Sequence, residues 1–321
     1  MLDGSDYMSM ALHCIISLGG GLCNVFLIFL VLTSTPAILR SYSMLILNAA
    51  LTDALACFSS LFTMTRIIPA GPALTYVFHG PCQFFGAEFC YYTYCFLLHT
   101  LAHSLFVILA SFIYRNHVIS EPNLRARAVC FCLLLVYLPS FTQFILFCIS
   151  LGDLDKIMAI LHEAYPHYDF TGLTIAGNEK VLSPIVIVQI LYVTVPSVPV
   201  YIAITLIRRN IYNTLKEKSQ HFSEATIRTH KQLAKALTIQ ACLPATFVIA
   251  VTFYTSLQLD IYRSPIFEKL VFVIVSCVPM GGPFVSIYFI KPYREKTLEL
   301  LGKSKEKTMI SISTVSNSYK A

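Results

Sequence analysis

The chain has 321 residues, of which 56% are hydrophobic and only 12% are charged, and its mean hydropathy is +0.69. Soluble domains carry roughly 25% charged residues, so this composition excludes a soluble globular enzyme, and disordered chains are more polar still. A membrane protein with several spans remains. The net charge is +6, but the bases form no patch of the kind that binds nucleic acid.

Seven apolar runs are long enough to cross a membrane, which takes about 20 residues in helical form. We expect an all-α membrane protein, a seven-transmembrane helix bundle, with a short extracellular segment at residues 1–10 and a cytoplasmic tail at residues 291–321. The two-residue alternation of a membrane barrel is missing from the sequence. The expected spans are residues 11–32, 43–68, 83–114, 128–151, 182–207, 233–259 and 266–290.

Lysine and arginine are divided unequally between the two sides of this bundle. Of the 23 basic residues, 18 lie in the loops after the first, third and fifth spans and in the tail, and 5 lie on the opposite side. The positive-inside rule assigns the basic side to the cytoplasm. The N-terminus is therefore expected outside the cell and the C-terminus inside.

Motifs that carry catalysis or metal binding are missing from the sequence. It contains no phosphate-binding glycine loop, hydrolase elbow or kinase signature, so we expect neither an enzyme nor a cofactor. The 11 cysteines fall almost all in apolar runs, where a free cysteine packs as a small apolar side chain. His99 and His103 have the spacing of a metal-ligand pair, but no third ligand accompanies them, and we expect no metal.

An acidic residue lies in the middle of the second span. Asp53 would be costly in lipid, so we expect it to face the protein interior. One hypothesis makes it a cation or proton site that biases the bundle between two packings. The other makes it a neutral acid that is hydrogen-bonded to Asn24 or Asn48. The sequence leaves both hypotheses open.

Polar side chains recur along one face of the third span, at helical steps of four, three and four residues. Such a stripe should avoid lipid and face the bundle interior, where ligands bind between helices. A polar seam that only joins two helices is the alternative. The candidates for ligand contact are these four residues and two tyrosines from later spans: Glu88, Tyr92, Cys95, His99, Tyr192 and Tyr254.

Basic residues at the cytoplasmic ends of the helices are candidates for contact with a partner protein. The segment between the fifth and sixth spans mixes bases with apolar residues, which suits continuing helices and a docking face. An ordinary basic loop beside anionic lipid would give the same pattern. The candidates are Arg115 at the end of the third span, and Arg208, Arg209, Lys231 and Lys235.

Several segments resemble the rhodopsin-like G-protein-coupled receptors. Asn24-Val25 resembles the asparagine motif of their first helix, and the run from Leu47 to Asp53 resembles the motif of their second. Arg115 matches the arginine that ends their third helix, and Ser104 stands where that class often has a serine near its sodium site. The resemblance implies an intramembrane switch or ion site made by four residues: Asp53, Asn24, Asn48 and Ser104.

The chain also departs from that class. Arg115 is preceded by Tyr114 and not by an acid, the sixth span lacks the usual tryptophan, and the seventh lacks the usual asparagine. The second outer loop contains no cysteine, so the common bridge from Cys82 to that loop cannot form. Cys148, at the outer end of the fourth span, is the nearest alternative partner.

The order of the remaining motifs is similar to that of the nematode serpentine chemoreceptors, in particular their class delta subfamily. The resemblance implies a receptor in the plasma membrane or sensory cilium of a chemosensory neuron. Its partners would be a small, for example volatile, molecule between the helices, a heterotrimeric G protein and membrane lipid. The matching stretches are Gly80-Pro81-Cys82, Leu101-Ala102-His103-Ser104, Tyr114-Arg115, Lys231 to Leu237 with Gln240 and Pro244, and Pro292-Tyr293-Arg294.

Two other functions are compatible with seven spans. A ligand-gated channel of the insect odorant-receptor type has seven helices but places its N-terminus inside the cell, against the distribution of basic residues. An ion- or proton-coupled transporter could use Asp53, but the sequence has neither visible repeats nor paired interrupted helices. We therefore treat both as alternatives to a receptor.

Overall fold

A computed structural model of the protein describes residues 4–36, 39–120, 126–217, 224–243, 245–262 and 264–302. In this part of the chain, seven helical stretches are long and apolar enough to cross a membrane. The prediction of a seven-helix bundle is confirmed. The elements are α1 (Gly4–Ser34), α2 (Arg40–Thr63), β1 (Thr65–Ala70), β2 (Ala73–Phe78), α3 (Ala87–Ser120), α4 (Ala126–Ile149), α5 (Leu154–Ala164), β3 (Thr174–Asn178), α6 (Pro184–Thr194), α7 (Ser197–Glu217), α8 (Glu224–Cys242), α9 (Ala245–Gln258), α10 (Pro265–Phe289) and α11 (Lys291–Leu300).

Two spans are each built from two consecutive helices. The fifth consists of α6 and α7, which meet at Val195 and Pro196. Proline has no N–H to continue the helical ladder, so a break at this point is expected. The sixth consists of α8 and α9, and Pro244 between them lies outside the described residues.

Most expected spans have different bounds in the structure. The first begins at Gly4, inside the segment expected to be extracellular, the fifth continues to Glu217 and the sixth begins at Glu224. The second and third differ at their outer ends. The second was expected to continue to Ile68, but α2 ends at Thr63 and the chain turns into β1. The third was expected from Gln83, but a 3-10 turn (Pro81–Phe85) precedes α3, which then continues to Ser120. The outer end of both spans is therefore replaced by structure that covers the bundle.

Helices α3 and α10 form the centre of the bundle. α3 packs against α2, α4 and α7, and α10 packs against α1, α2 and α9. Every site described below lies against one of these two helices. Here "outer" and "inner" denote the ends that the basic residues assign to the outside and the cytoplasm.

A three-stranded antiparallel sheet in the order β1-β2-β3 covers the outer end. Ile68 pairs with Thr75 across the β1–β2 hairpin, and Tyr76 pairs with Ala176 of β3. Gly71 and Pro72 connect β1 to β2, and Gly71 has φ of +57°. A positive φ at the first residue of a two-residue loop is typical of hairpin turns and favours glycine.

The two faces of the sheet contact different partners because neighbouring strand residues point to opposite sides. Ile68 and Val77 pack with Ile157 and Leu161 of α5. The opposite face contributes Ile67, Leu74 and Tyr76 among others to the core of the bundle, as part of one apolar cluster with α3 and α10. The sheet is therefore a layer between α5 and the bundle.

A disulfide bond in the outer cap corrects one expectation. Cys82 is bonded to Cys90 in the second turn of α3, eight residues later, and not to Cys148. Cys148 is a free cysteine. The bond joins the 3-10 turn to α3, so it fixes the connection between the sheet and the bundle.

Candidate ligand cavity and polar core

A cavity of about 100 Å³ lies directly beneath the outer sheet. Its roof is formed by Ile67, Leu74 and Tyr76 of the sheet. Its walls come from α3, α4, α6, α9 and α10, so five helices of the bundle meet at this one site. All three roof side chains are buried, so the sheet covers the outer side of the cavity.

The surface of this cavity is mostly apolar. Most of its lining residues are aliphatic or phenylalanine, and none of the described residues that line it is charged. The phenol rings of Tyr76 and Tyr94 lie 4.2 Å apart between centroids. The lining therefore suits a small uncharged molecule.

The predicted polar stripe of α3 does not line this cavity. Glu88 and Tyr92 are exposed, whereas Cys95 and His99 are buried. The ring of His99 contacts Tyr137 of α4 at 5.2 Å between centroids. The stripe thus runs along the contact between α3 and α4 and emerges on the outer surface, which corrects the expectation that all four residues form a pocket.

The two tyrosines proposed from later spans have different positions. Tyr254 of α9 lines the cavity, and its hydroxyl donates to the Gln258 side-chain oxygen at 3.3 Å. Tyr192 of α6 does not line it, and its ring packs against Phe106 of α3 with centroids 6.1 Å apart. Of the six predicted ligand contacts, Tyr254 is the one that belongs to the lining.

Asp53 belongs to a second, polar cavity deeper in the bundle. The Ser104 hydroxyl donates to Asp53 Oδ1 at 3.0 Å, joining α2 to α3. Asp53, Ser104 and Asn24 line the same cavity of about 40 Å³, together with Gln240 of α8 and Ser286 of α10. The expected grouping of Asp53, Asn24 and Ser104 is thus present in the structure.

Asn24 holds α1 against α10 at a proline-disrupted turn. Its side-chain nitrogen donates to the carbonyl oxygens of Gly20 and Pro279, each at 2.9 Å. Pro283 lies four residues after Pro279 and has no N–H, so the Pro279 carbonyl lacks its usual helical donor. Asn24 supplies that donor from a neighbouring helix.

Asn48 is not part of the Asp53 cluster. Its side-chain nitrogen lies 3.2 Å from Nε2 of His103, and it does not line the polar cavity. His103 therefore bridges α2 and α3 one turn away from Asp53. Neither Asn24 nor Asn48 is the hydrogen-bond partner of Asp53, which corrects the alternative that one of them bonds to a neutral Asp53.

In the described part of the chain, no three His, Cys, Asp or Glu side chains could together hold a metal ion.

A third small cavity lies between the two sites. It is also about 40 Å³ and shares Val193 and Phe247 with the apolar cavity above. It shares Ser104 and Val278 with the polar cavity below. Three cavities therefore follow one another from beneath the sheet to Asp53, and single side chains separate each from the next.

A buried ion-pair cluster fixes the outer ends of α1 and α10 to the sheet. Arg66 of β1 donates to Glu268 at 2.6 Å and lies 3.4 Å from Asp6, and Lys269 lies 2.8 Å from Asp6. Tyr168 donates to Glu268 at 3.3 Å. Burial, followed by the negative charge of Glu268, raises the pKa of Tyr168 to about 12, so the phenol remains a donor at neutral pH.

The candidate partner contacts at the inner end differ in exposure. Arg208, Arg209, Lys231 and Lys235 are exposed, at the inner ends of α7 and α8. Arg115 is only 5% exposed, and its guanidinium carbon lies 4.1 Å from the centre of the Tyr42 ring. In this structure Arg115 is therefore covered by α2.

Several residues of the cavity were not predicted from the sequence. They include the roof, the wall residues Tyr94 and Phe147, and Gln189 of α6. Gln189 carried a usable signal, because a lone amide in an apolar span is expected to face the protein interior. The roof also had a usable sequence signal, because Gly71-Pro72 separates two runs that are rich in residues favouring β-strands.

Comparison of the sequence with known proteins identifies the family of this chain. A sequence profile of the serpentine type 7TM GPCR chemoreceptor Srd family matches residues 9–299. Serpentine receptor class delta-2 of Caenorhabditis elegans is 35% identical over 93% of this chain and 84% of that relative. Serpentine receptor class delta-3 of the same organism is 36% identical over 90% of this chain and 86% of that relative.

A solved structure supports the arrangement of the helices. The fold is similar to that of squid rhodopsin, with a TM-score of 0.68 over 94% of this chain and 87% of rhodopsin. The two sequences are 13% identical, so this likeness concerns the fold alone. The protein is a multi-pass membrane receptor and not an enzyme. Because the family profile matches most of the chain and the relatives are 35% and 36% identical, the chain belongs to the Srd family of serpentine seven-transmembrane chemoreceptors.

Proposed function

We propose that this protein is a chemosensory receptor of the plasma membrane or sensory cilium that signals to a heterotrimeric G protein. A small molecule binds in the cavity beneath the outer sheet and stabilises an active packing of the helices. The observation that carries this proposal is the apolar cavity that lies beneath the sheet and among five helices. Because those helices belong to different parts of the bundle, a molecule among them can change their relative positions.

The adjoining cavities support a route for the signal. A ligand can shift a conformational equilibrium only by its different affinity for the two states. Phe247 and Val193 separate the apolar cavity from the next one, and Ser104 separates that one from Asp53. Side chains beside such space can repack when a ligand fills the outer site, and the change then reaches Asp53.

Asp53 is proposed as the intramembrane switch or ion site. It receives the Ser104 hydrogen bond from α3 and faces Gly282 of α10, so three helices meet at one acidic group. Gln240 of α8 donates to the Gly282 carbonyl at 3.1 Å and to Ser286 at 2.9 Å. An inward or outward movement of α8 would therefore alter the same contact region.

The inner end offers a basic surface for the G protein. A cleft of about 590 Å³ between α7 and α8 is lined by Tyr212, Lys231 and Lys235 among others. Arg208 and Arg209 lie on the adjoining end of α7. These exposed bases suit an acidic or carboxylate-bearing partner. Arg115 would join them when α3 moves away from Tyr42.

The test is a signalling assay in cells that express the full chain with an N-terminal epitope tag. The tag is stained on intact cells, and G-protein dissociation is recorded by resonance energy transfer while neutral alcohols, ketones and esters are applied. We expect an externally accessible tag and a response that falls in Arg208→Ala/Arg209→Ala. Lys156→Ala, on the outer side, is the matched control. A tag seen only after permeabilisation, with ligand-gated currents that need no G protein, would establish a channel instead.

A further inference from the structure

Gln189 is a buried amide without a hydrogen-bond partner. It lies in α6, is 2% exposed, and lines the apolar cavity. Neither its side-chain nitrogen nor its oxygen has a partner in the part of the chain that the structure describes. Most buried polar groups in proteins are paired, and each exception asks for an explanation.

Gln189 differs in this respect from the other polar side chains of the lining. Thr194 donates to the Ile190 carbonyl at 2.7 Å, and Tyr254 donates to Gln258. Tyr76 and Tyr94 pack ring against ring with centroids 4.2 Å apart, and neither hydroxyl is a buried polar atom without a partner. Among the described lining residues, Gln189 is therefore the side chain that is buried and has no hydrogen-bond partner.

The size and charge of the cavity restrict what can pair with this amide. A volume of about 100 Å³ is below the roughly 150 Å³ of an engineered cavity that binds benzene. None of the described residues around it is charged, so an ionic ligand would lose its hydration without meeting a countercharge. An amide can donate to a carbonyl or ether oxygen and can accept from a hydroxyl group.

We propose that the cavity selects a small uncharged molecule with one oxygen-containing polar group, and that Gln189 recognises that group. This inference rests on the proposed function, because it concerns the same cavity. The ligand class is a short-chain ketone, aldehyde, alcohol or ester. Hydrocarbons of the same shape fit the cavity but leave the amide unpaired, and carboxylates of the same size are excluded by their charge.

The test compares three probes of nearly equal size, each smaller than benzene, on the purified full chain: acetone, 2-methylpropane and acetate. The rise in melting temperature with probe concentration gives an apparent dissociation constant for each. Gln189→Leu removes the amide at similar volume. Gln143→Leu is the matched control, because Gln143 of α4 is also a buried and unpaired glutamine but does not line the cavity.

We expect acetone to bind the wild type about tenfold more tightly than 2-methylpropane, and acetate not to bind. The preference for the ketone should disappear in Gln189→Leu and persist in Gln143→Leu, which is the effect expected for one buried hydrogen bond. If both hydrocarbon and ketone bind but Gln189→Leu keeps the preference, the role of Gln189 is wrong and the cavity remains a ligand site. If no probe binds the wild type, the cavity itself is wrong and the proposed function falls with it.

Discussion

Gly282 of α10 is where the helix backbone comes closest to Asp53. A Cβ atom added at this glycine would lie 2.8 Å from Asp53 Oδ2, closer than real Cβ contacts. Asp53 cannot simply turn aside, because Ser104 holds its other oxygen at 3.0 Å. The missing side chain at Gly282 thus allows α10 to pack against an acid that is already bonded to α3.

Gly282→Ala should therefore destabilise the protein by about 1 kcal/mol, the lower end of the cost of overpacking. Gly19→Ala is the matched control in α1, because no atom lies within 4 Å of the added methyl group. Alanine in a helix is otherwise more favourable than glycine by about 1 kcal/mol, so the control should raise stability slightly. Melting temperatures in detergent measure both, and a Gly282→Ala protein as stable as Gly19→Ala would contradict the close packing at Asp53.

The buried Arg66–Glu268 ion pair leads to a second prediction, on the stability of the protein. Glu268 is 1% exposed and Arg66 is 12% exposed as side chains. Removing one partner of a buried pair leaves the other charge without compensation, which typically costs about 3–5 kcal/mol. Arg66→Met should therefore lower the melting temperature strongly, and Arg66→Met/Glu268→Gln should recover part of the loss.

An exposed ion pair in the same outer cap is the control. Lys156 lies 3.5 Å from Asp153, and both side chains are well exposed. Such pairs contribute little to stability, so Lys156→Ala should leave the melting temperature nearly unchanged. Equal losses in Arg66→Met and Lys156→Ala, or no recovery in the double variant, would show that the buried cluster does not fasten the sheet to α10.

The long helices were predictable because runs of about 20 apolar residues have few other outcomes in a membrane. The sheet was not predicted, because its strands are buried on both faces and so lack the polar–apolar alternation of a half-buried strand. Its first strand therefore reads as a continuation of the second span. The face of α3 was assigned incorrectly for a related reason: spacing tells which residues share a face but not which neighbour that face meets.

Asn178 at the end of β3 connects the sheet to the bundle. Its side-chain nitrogen donates to the Ser150 carbonyl at 2.6 Å and to the Tyr91 hydroxyl at 2.9 Å. Asn178→Ala should remove both bonds, so the sheet should open more often. We expect amide hydrogen exchange in β2 and β3 to accelerate about tenfold, whereas Thr93→Ala, which removes a bond within α3 only, should not change it.

Unchanged exchange in Asn178→Ala would mean that other contacts hold the sheet, namely its apolar face, the Cys82–Cys90 bond and the Arg66 ion pairs.

The contact between Arg115 and Tyr42 joins α3 to α2 at the inner end. A cation above an aromatic ring is worth about 0.5–2 kcal/mol, and Arg115 lies 4.1 Å from the ring centre. If this contact belongs to the resting state, Tyr42→Leu should raise basal G-protein activation about 2- to 30-fold. Tyr42→Phe keeps the ring and should resemble the wild type.

The matched control is Phe58→Leu, which removes an exposed aromatic ring of the same helix that stacks on Phe62, away from the inner end. It should leave basal signalling near the wild-type level. Equal basal signalling in Tyr42→Leu and wild type would separate Arg115 from the activation step.

At the scale of the whole molecule, the helix bundle could be predicted from the sequence, but the ligand cavity could not. The seven-helix bundle could be predicted because seven separate apolar runs each indicate a membrane span. The family could be predicted because its motifs are spread over the whole chain. The ligand cavity depends on contacts between the outer loops and five helices, and such contacts between distant segments cannot be read from local patterns. Asp53 and Ser104 are the exception, because the resemblance placed them together before the structure did.

Filling the outer cavity tests the proposed receptor most directly. Ala250 of α9 is 1% exposed and lines the cavity, so Ala250→Leu should occupy much of its 100 Å³. Ala245→Leu adds the same side chain to an exposed position of the same helix. With equal amounts of receptor at the cell surface, Ala250→Leu should abolish the G-protein response to small ketones and alcohols, and Ala245→Leu should retain it. An unchanged response in Ala250→Leu would contradict ligand binding beneath the sheet.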